Sequence, residues 1–181
     1  ESMEAIPKGF IAMVPAILIL TLATALKNTT GLLGSDVFVD NLLKNAGALK
    51  LFLPAIIFVI ACFLAFATGT SWGTFGILIP IVLAVIGDYN EITVVTIAAV
   101  LAGAVGGDHV SPISDTTILA SAGAQCNHLD HVATQIPYVL VVSACCLLAY
   151  IVAGVTASGM TGLFAGLGAL ACAMAVVYKK A

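Results

Sequence analysis

Residues 106–117 read GGDHVSPISDTT, and residues 68–76 read TGTSWGTFG; each polar stretch interrupts an otherwise apolar run. The first is flanked by Thr93–Val105 and Ile118–Ala124, the second by Leu51–Ala67 and Ile77–Ile86. At about 1.5 Å rise per helical residue, the arms around 106–117 span about 20 and 13 Å. Those around 68–76 span about 25 and 17 Å. The hydrocarbon core of a bilayer is about 30 Å thick. The arms and break of 92–124 together fit one crossing, which predicts a discontinuous spanning helix. The arms of 51–87 overshoot one crossing, and neither crosses alone, which predicts a re-entrant helical hairpin with TGTSWG near its tip.

Composition sets the solvent for this reading. Of 181 residues, 61% are hydrophobic and 8% are charged, against about 25% charged in soluble domains. The mean hydropathy is +1.17. Too little polar surface exists to cover a water-soluble fold of this size. The net charge is −3, the basic residues are six lysines, and no basic stripe for nucleic acid is present. The five cysteines form no Cys-x-x-Cys pair and no disulfide framework. The fold class is therefore an all-α polytopic membrane protein.

Working outward, residues 7–26 form an apolar run with Pro7 at a first-turn position, predicting a membrane helix. Residues 28–50 carry Asp36, Asp40, Lys44 and Lys50 among valines and leucines, predicting an amphipathic interfacial segment. QCNHLDH (125–131) reads as a polar loop, with Pro137 near the start of the helix that follows. Further membrane helices are predicted over 132–154 and 161–178. The lysines divide three and three between the two sides, so the positive-inside rule gives no orientation. The chain begins at Glu1 with no visible signal peptide and is expected to be part of something longer. All of 1–181 reads as a single membrane domain.

Unpaired backbone groups in lipid cost several kcal/mol each, so a break at membrane depth must be buried in protein or line a wet cavity. Paired interrupted segments point to the binding site of a secondary transporter, where freed carbonyls and helix ends hold ions. Asp108 and Asp115 lie in the second break beside His109, with no Lys or Arg in any apolar segment. An intramembrane carboxylate needs a partner or a cavity, and desolvation makes it hold a proton more tightly, the behaviour H⁺/Na⁺ exchange at one site requires. The hydroxyls of Ser111, Ser114, Thr116 and Thr117 are hard oxygen ligands for a small cation. In the first break Thr68, Thr70, Ser71 and Thr74 offer hydroxyls beside Gly69. Na⁺ ligand candidates are Asp108, Ser111, Asp115 and Thr70. The competing readings are structural: Asp115 as a helix N-cap, His109 as an interior histidine, and 68–76 as a tight turn capped by Ser and Thr. A zinc cluster at Cys126, His128, Asp130 and His131 matches no strong spacing. A metalloenzyme using His109, Asp115, His128 and His131 lacks HExxH. A passive channel would need no titrating acid.

GGDHVSPISDTTILAS, followed by CNHLDHVATQIPY, resembles the NhaC-type Na⁺/H⁺ antiporter family, as do TGTSWGTFGILIPI and MVPAILILTLA. The likeness covers most of residues 9–155. It implies one transporter repeat, the C-terminal half of a secondary transporter of two inverted repeats, and no enzyme. The implied activity is Na⁺/H⁺ antiport by alternating access, or coupled exchange of organic acids or amino acids. The implied site lies at Thr68 to Thr74 and Asp108 to Thr117. No cofactor is implied, Na⁺ and H⁺ being the transported or coupling ions. Expected partners are the lipid bilayer, the missing N-terminal half and a second copy in a homodimer. The expected location is the bacterial cytoplasmic (inner) membrane, crossed several times.

Overall fold

The computed structural model of the chain describes residues 51–86 and 90–180 continuously, with isolated helical positions at 6, 7, 10, 11, 14, 21, 25, 29 and 32. The helix expected over 7–26 and the interfacial segment over 28–50 therefore lie outside the described residues. Six helices, and no strand, are found among the described residues. They are α1 (Leu53–Thr68), α2 (Ser71–Ile86), α3 (Glu91–Val110), α4 (Asp115–Gly123), α5 (His128–Thr156) and α6 (Gly159–Lys180). Three of them are long and apolar enough to cross a membrane: Glu91–Val110, His128–Thr156 and Gly159–Lys179.

Contacts between the helix ends give the topology. The start of α1 and the start of α3 both meet the α5–α6 turn. There the backbone of Gly154 packs on the Leu51 carbonyl, and the Gly159 amide donates to Glu91 Oε1 at 2.9 Å. At the other end Gly69, just past α1, packs on Ile113, just past α3. Thus α1 and α3 run parallel, α2 returns antiparallel to α1, and α5 runs antiparallel to both. Tyr150 of α5 confirms the register, donating to the Ala98 carbonyl at 3.0 Å and stacking on Phe58 with ring centroids 5.3 Å apart.

The α1–α3 seam is the tightest in the fold. Ala61 and Ala65 meet Val100 and Ala104 there, with Leu78 and Val82 of α2 closing the core. Gly103 and Gly107 lie one turn apart and rest on the backbone carbonyls of Phe58 and Cys62. A Cβ on Gly107 would overlap the Cys62 carbonyl. Lipid gives no hydrophobic gain for joining helices, so close backbone packing across small residues takes that role.

Both breaks are shorter than their composition suggests. Residues 106–110 are helical, and α3 ends at Val110. Gly106 and Gly107 do not open the helix, because Gly107 is used for close approach to α1. The break is Ser111–Ser114, and its cause is Pro112. The residue before a proline is pushed out of the α region, and Ser111 is extended at φ −76°, ψ 125°. Ser114 stays extended, and α4 starts at Asp115. Glycines 73 and 76 likewise sit inside α2, so the first break shrinks to Gly69 and Thr70. Gly69 has φ 65°, a left-handed conformation that favours glycine. As a result α3, with 20 residues, is about 30 Å long, longer than the arm that precedes residue 106.

Two further expectations shift at the third connection. His128 to His131 are not loop but the first turn of α5, because Asn127 caps it, accepting from Leu129 N at 2.9 Å and Asp130 N at 3.4 Å. Pro137 therefore sits inside α5 rather than near its start. The α5–α6 turn is confined to Ala157 and Ser158, and α6 begins at Gly159.

Candidate functional site

The two breaks meet. Ser111 Oγ donates to the Phe66 carbonyl at 2.8 Å, a link between residues 45 apart in sequence. Phe66 lies in the last turn of α1, where carbonyls lack intrahelical donors. A Cβ on Gly69 would come within 2.7 Å of the Ile113 carbonyl oxygen, so the left-handed turn and the proline break are fitted against one another.

Asp108 lies in the last turn of α3 and is only 3% exposed. Its Oδ2 accepts from Thr116 Oγ1 at 3.2 Å. Thr116 Oγ1 is in turn 2.8 Å from Ser114 Oγ. Its Oδ1 is buried with no hydrogen-bond partner. Burying a carboxylate oxygen without a proton, a donor or a cation is strongly unfavourable. The negative end of the α3 dipole also points here, which favours positive charge beside Asp108. Among the described residues, no Lys or His makes a hydrogen bond to either oxygen.

The other predicted residues divide by what their polar atoms touch. Ser111 and Ser114 are fully buried, but Ser111 donates to Phe66 and faces the Ile113 amide at 3.4 Å. Thr117 is buried and donates to the His109 carbonyl at 3.4 Å. Thr70 caps α2: its hydroxyl accepts from Gly73 N at 3.3 Å, and its carbonyl accepts from the buried Thr74 hydroxyl at 2.9 Å. Thr68 is exposed and bonds back to the Leu64 carbonyl at 2.8 Å. Ser71 is half-buried at the start of α2. Asp115 is exposed in the first turn of α4, and the N-cap is Ser114 instead.

His109 is not beside the Asp108 carboxylate. Successive helical residues point about 100° apart, and His109 is exposed, with Nδ1 donating to the Val105 carbonyl at 2.8 Å. It lines a cleft of about 650 Å³ between α3 and α5, with Phe58, Tyr138 and Ser143 among its walls. Cys126, His128, Asp130 and His131 are not brought together as ligands. Among the described residues no three His, Cys, Asp or Glu side chains are grouped to hold a metal.

One contact was not foreseen. His128, the first residue of α5, donates from Nε2 to the Pro112 carbonyl at 2.7 Å. Its Nδ1 lies 3.0 Å from Ser121 Oγ on α4. The available signal was Pro112 itself, whose break leaves carbonyls in need of donors from elsewhere in the chain.

Ser111→Ala separates bracing from liganding. Its oxygen already serves Phe66 and Ile113, so the expected result is a loss of about 1–3 kcal/mol from the unsatisfied Phe66 carbonyl. The unfolding temperature of the purified full-length protein should drop, while added Na⁺ shifts it by as much as in the wild type. An altered Na⁺ dependence at unchanged stability would make Ser111 a ligand.

Apolar helices of membrane-spanning length, interrupted around a buried carboxylate with an unpartnered oxygen, are the features of an integral membrane transport protein. The chain belongs to the Na⁺/H⁺ antiporter family, whose sequence pattern it matches over residues 1–155. Membership places it among transport proteins, not enzymes. It is 45% identical over 158 residues to an uncharacterised protein of Haemophilus influenzae, covering 87% of this chain and 30% of that protein. An uncharacterised Na⁺/H⁺ antiporter of the same organism is 39% identical over 89 residues, 47% of this chain and 19% of the relative. An arginine/ornithine antiporter of Halobacterium salinarum is 38% identical over 114 residues, 60% of this chain and 23% of the relative. The chain thus spans less than a third of the length of these curated relatives. No solved structure matches it.

Proposed function

We propose that this chain is one repeat of a secondary transporter, the C-terminal half, exchanging Na⁺ for H⁺ by alternating access at the joined breaks. The observation that carries the reading is Asp108 Oδ1, a buried carboxylate oxygen with no partner, beside the hydroxyl pair of Thr116 and Ser114. A proton or a Na⁺ ion satisfies that oxygen, and the two exclude each other. This competition is the elementary step of antiport. Asp115, exposed at the start of α4, is a second ligand offered toward the remainder of the protein.

Helix lengths support burial of this site in the bilayer. With 29 residues, α5 is about 43 Å long and overshoots a core of about 30 Å. Sharing the excess equally puts the mid-plane at its centre, near Val142. There Ser143 lies against Gly106, and Asp108 is about 3 Å further along α3. The α1–α2 pair, entering and leaving at one end with 16 residues in each helix, is then a re-entrant hairpin. The membrane in this reading is the bacterial cytoplasmic membrane, and the partner is the remaining length of the transporter.

A second reading keeps the same site and changes the cargo. The likeness to an arginine/ornithine antiporter supports coupled exchange of amino acids or organic acids, with a carboxylate held at the start of α2 or α4. One assay decides. The full-length protein is placed in vesicles, a dye reports ΔpH, and Na⁺, Li⁺, amino acids and organic acids are added in turn. Saturable proton movement on Na⁺ addition alone is expected. Movement that requires an amino acid or organic acid would replace the first reading with the second.

A further inference from the structure

We propose that His128 is a positioning residue: it fixes the proline break and α4 so that Thr116 and Ser114 stay beside Asp108. The inference rests on the ion-site reading above and adds to it a residue outside both breaks.

The geometry is a three-point brace. A carbonyl oxygen only accepts, so the 2.7 Å contact makes His128 Nε2 the donor to Pro112. The other ring nitrogen lies 3.0 Å from Ser121 Oγ, and that oxygen lies 2.9 Å from the Ile118 carbonyl, so the one hydroxyl proton is shared between two acceptors. Ser121 is 3% exposed. One imidazole therefore ties the start of α5 to the middle of the break and to the far side of α4. Thr116 stands between these two tie points in the sequence, and its hydroxyl makes the contact to Asp108. The segment needs such a brace. Pro112 offers no amide of its own. One backbone amide joins the break to α3, Ser111 N to Asp108 O at 3.1 Å, and a second closes a turn within the break, Ser114 N to Ser111 O at 3.3 Å. With nine residues, α4 is short, and helices of that length draw their stability from packing rather than propensity. Without the imidazole, α4 keeps the Thr117 bond to the His109 carbonyl at 3.4 Å but loses its hydrogen-bonded tie to α5, and Thr116 shifts with it.

The test uses the full-length protein in vesicles and separates KM for Na⁺ from Vmax. Glutamine places its amide nitrogen where Nε2 stands and keeps the bond to Pro112; asparagine is too short to reach it. His128→Ala and His128→Asn should raise KM on the order of tenfold, the scale on which orienting partners act at cation sites. His128→Gln should stay within about twofold of the wild type on that scale. A merely structural role would lower protein yield and Vmax at constant KM, and that result overturns the proposal. If His128→Ala fails to accumulate, the Gln and Asn variants carry the comparison, and equal KM values in the two overturn it. Asp108→Asn is assayed in parallel. Loss of exchange there with wild-type KM in all His128 variants sinks this inference alone, whereas retained exchange in Asp108→Asn sinks the ion site and this inference together.

Discussion

Asp108→Asn in the full-length protein is expected to reduce Na⁺-driven proton movement in vesicles to background. The amide keeps the shape of the side chain and removes both the oxygen that can take up a proton and the charge that holds the cation. At a separation of about 4 Å and an effective dielectric of about 20, that attraction is about 4 kcal/mol, or about three decades in affinity. The neighbours cannot replace it. Thr116 and Ser114 are neutral, and Ser111 is engaged with Phe66. Stability should not fall, because Oδ1 has no bond to lose and a buried neutral group is easier to accommodate than a charge. Loss of exchange in protein that is at least as heat-stable as the wild type is the expected signature. Exchange retained at the wild-type Na⁺ dependence would remove Asp108 from the mechanism.

Gly107→Ala is expected to prevent accumulation of folded protein. The added carbon lands on the Cys62 backbone carbonyl, and neither helix backbone can yield as a side chain would. Overpacking of this kind typically costs about 1–3 kcal/mol, and here it also separates α1 from α3 along the seam that sets both breaks. Gly123→Ala is the control, since nothing lies within 4 Å of the added carbon. Membrane-inserted yield and thermal stability in detergent give the readout. Equal behaviour of the two variants would show that the α1–α3 seam is not tightly fitted.

Much of this architecture was legible in the sequence, and the errors share a cause. Long apolar runs gave α5 and α6 to within a few residues. The polar interruptions at 68–76 and 106–117 gave the places where helices stop. Their extents were misjudged because glycine has two uses. Gly69 bends the chain through a positive φ, whereas Gly107 keeps a regular helix and lets another backbone approach. Only the partner helix distinguishes these uses, and one sequence does not display it. His109 and Asp108 are neighbours in the chain, but adjacency on a helix means divergence in space. Ser111 and Thr70 read in the sequence as hydroxyls suited to a small cation. Their engagement with Phe66 and Gly73 became visible only when the ends of α1 and α2 were brought beside the proline break. The carboxylate itself draws notice in the sequence by its want of a basic residue in the apolar segments around it, a property that composition records directly.

The bond from Ser111 to Phe66 has a mechanical meaning. It pins the tip of one helix pair to the elbow of another, with Gly69 bedded on Ile113 beside it. Sliding one past the other would break that clasp at every turnover. A cycle that leaves it closed must carry tip and elbow as a single stiff cartridge, and the flexing must fall in segments that the clasp does not span.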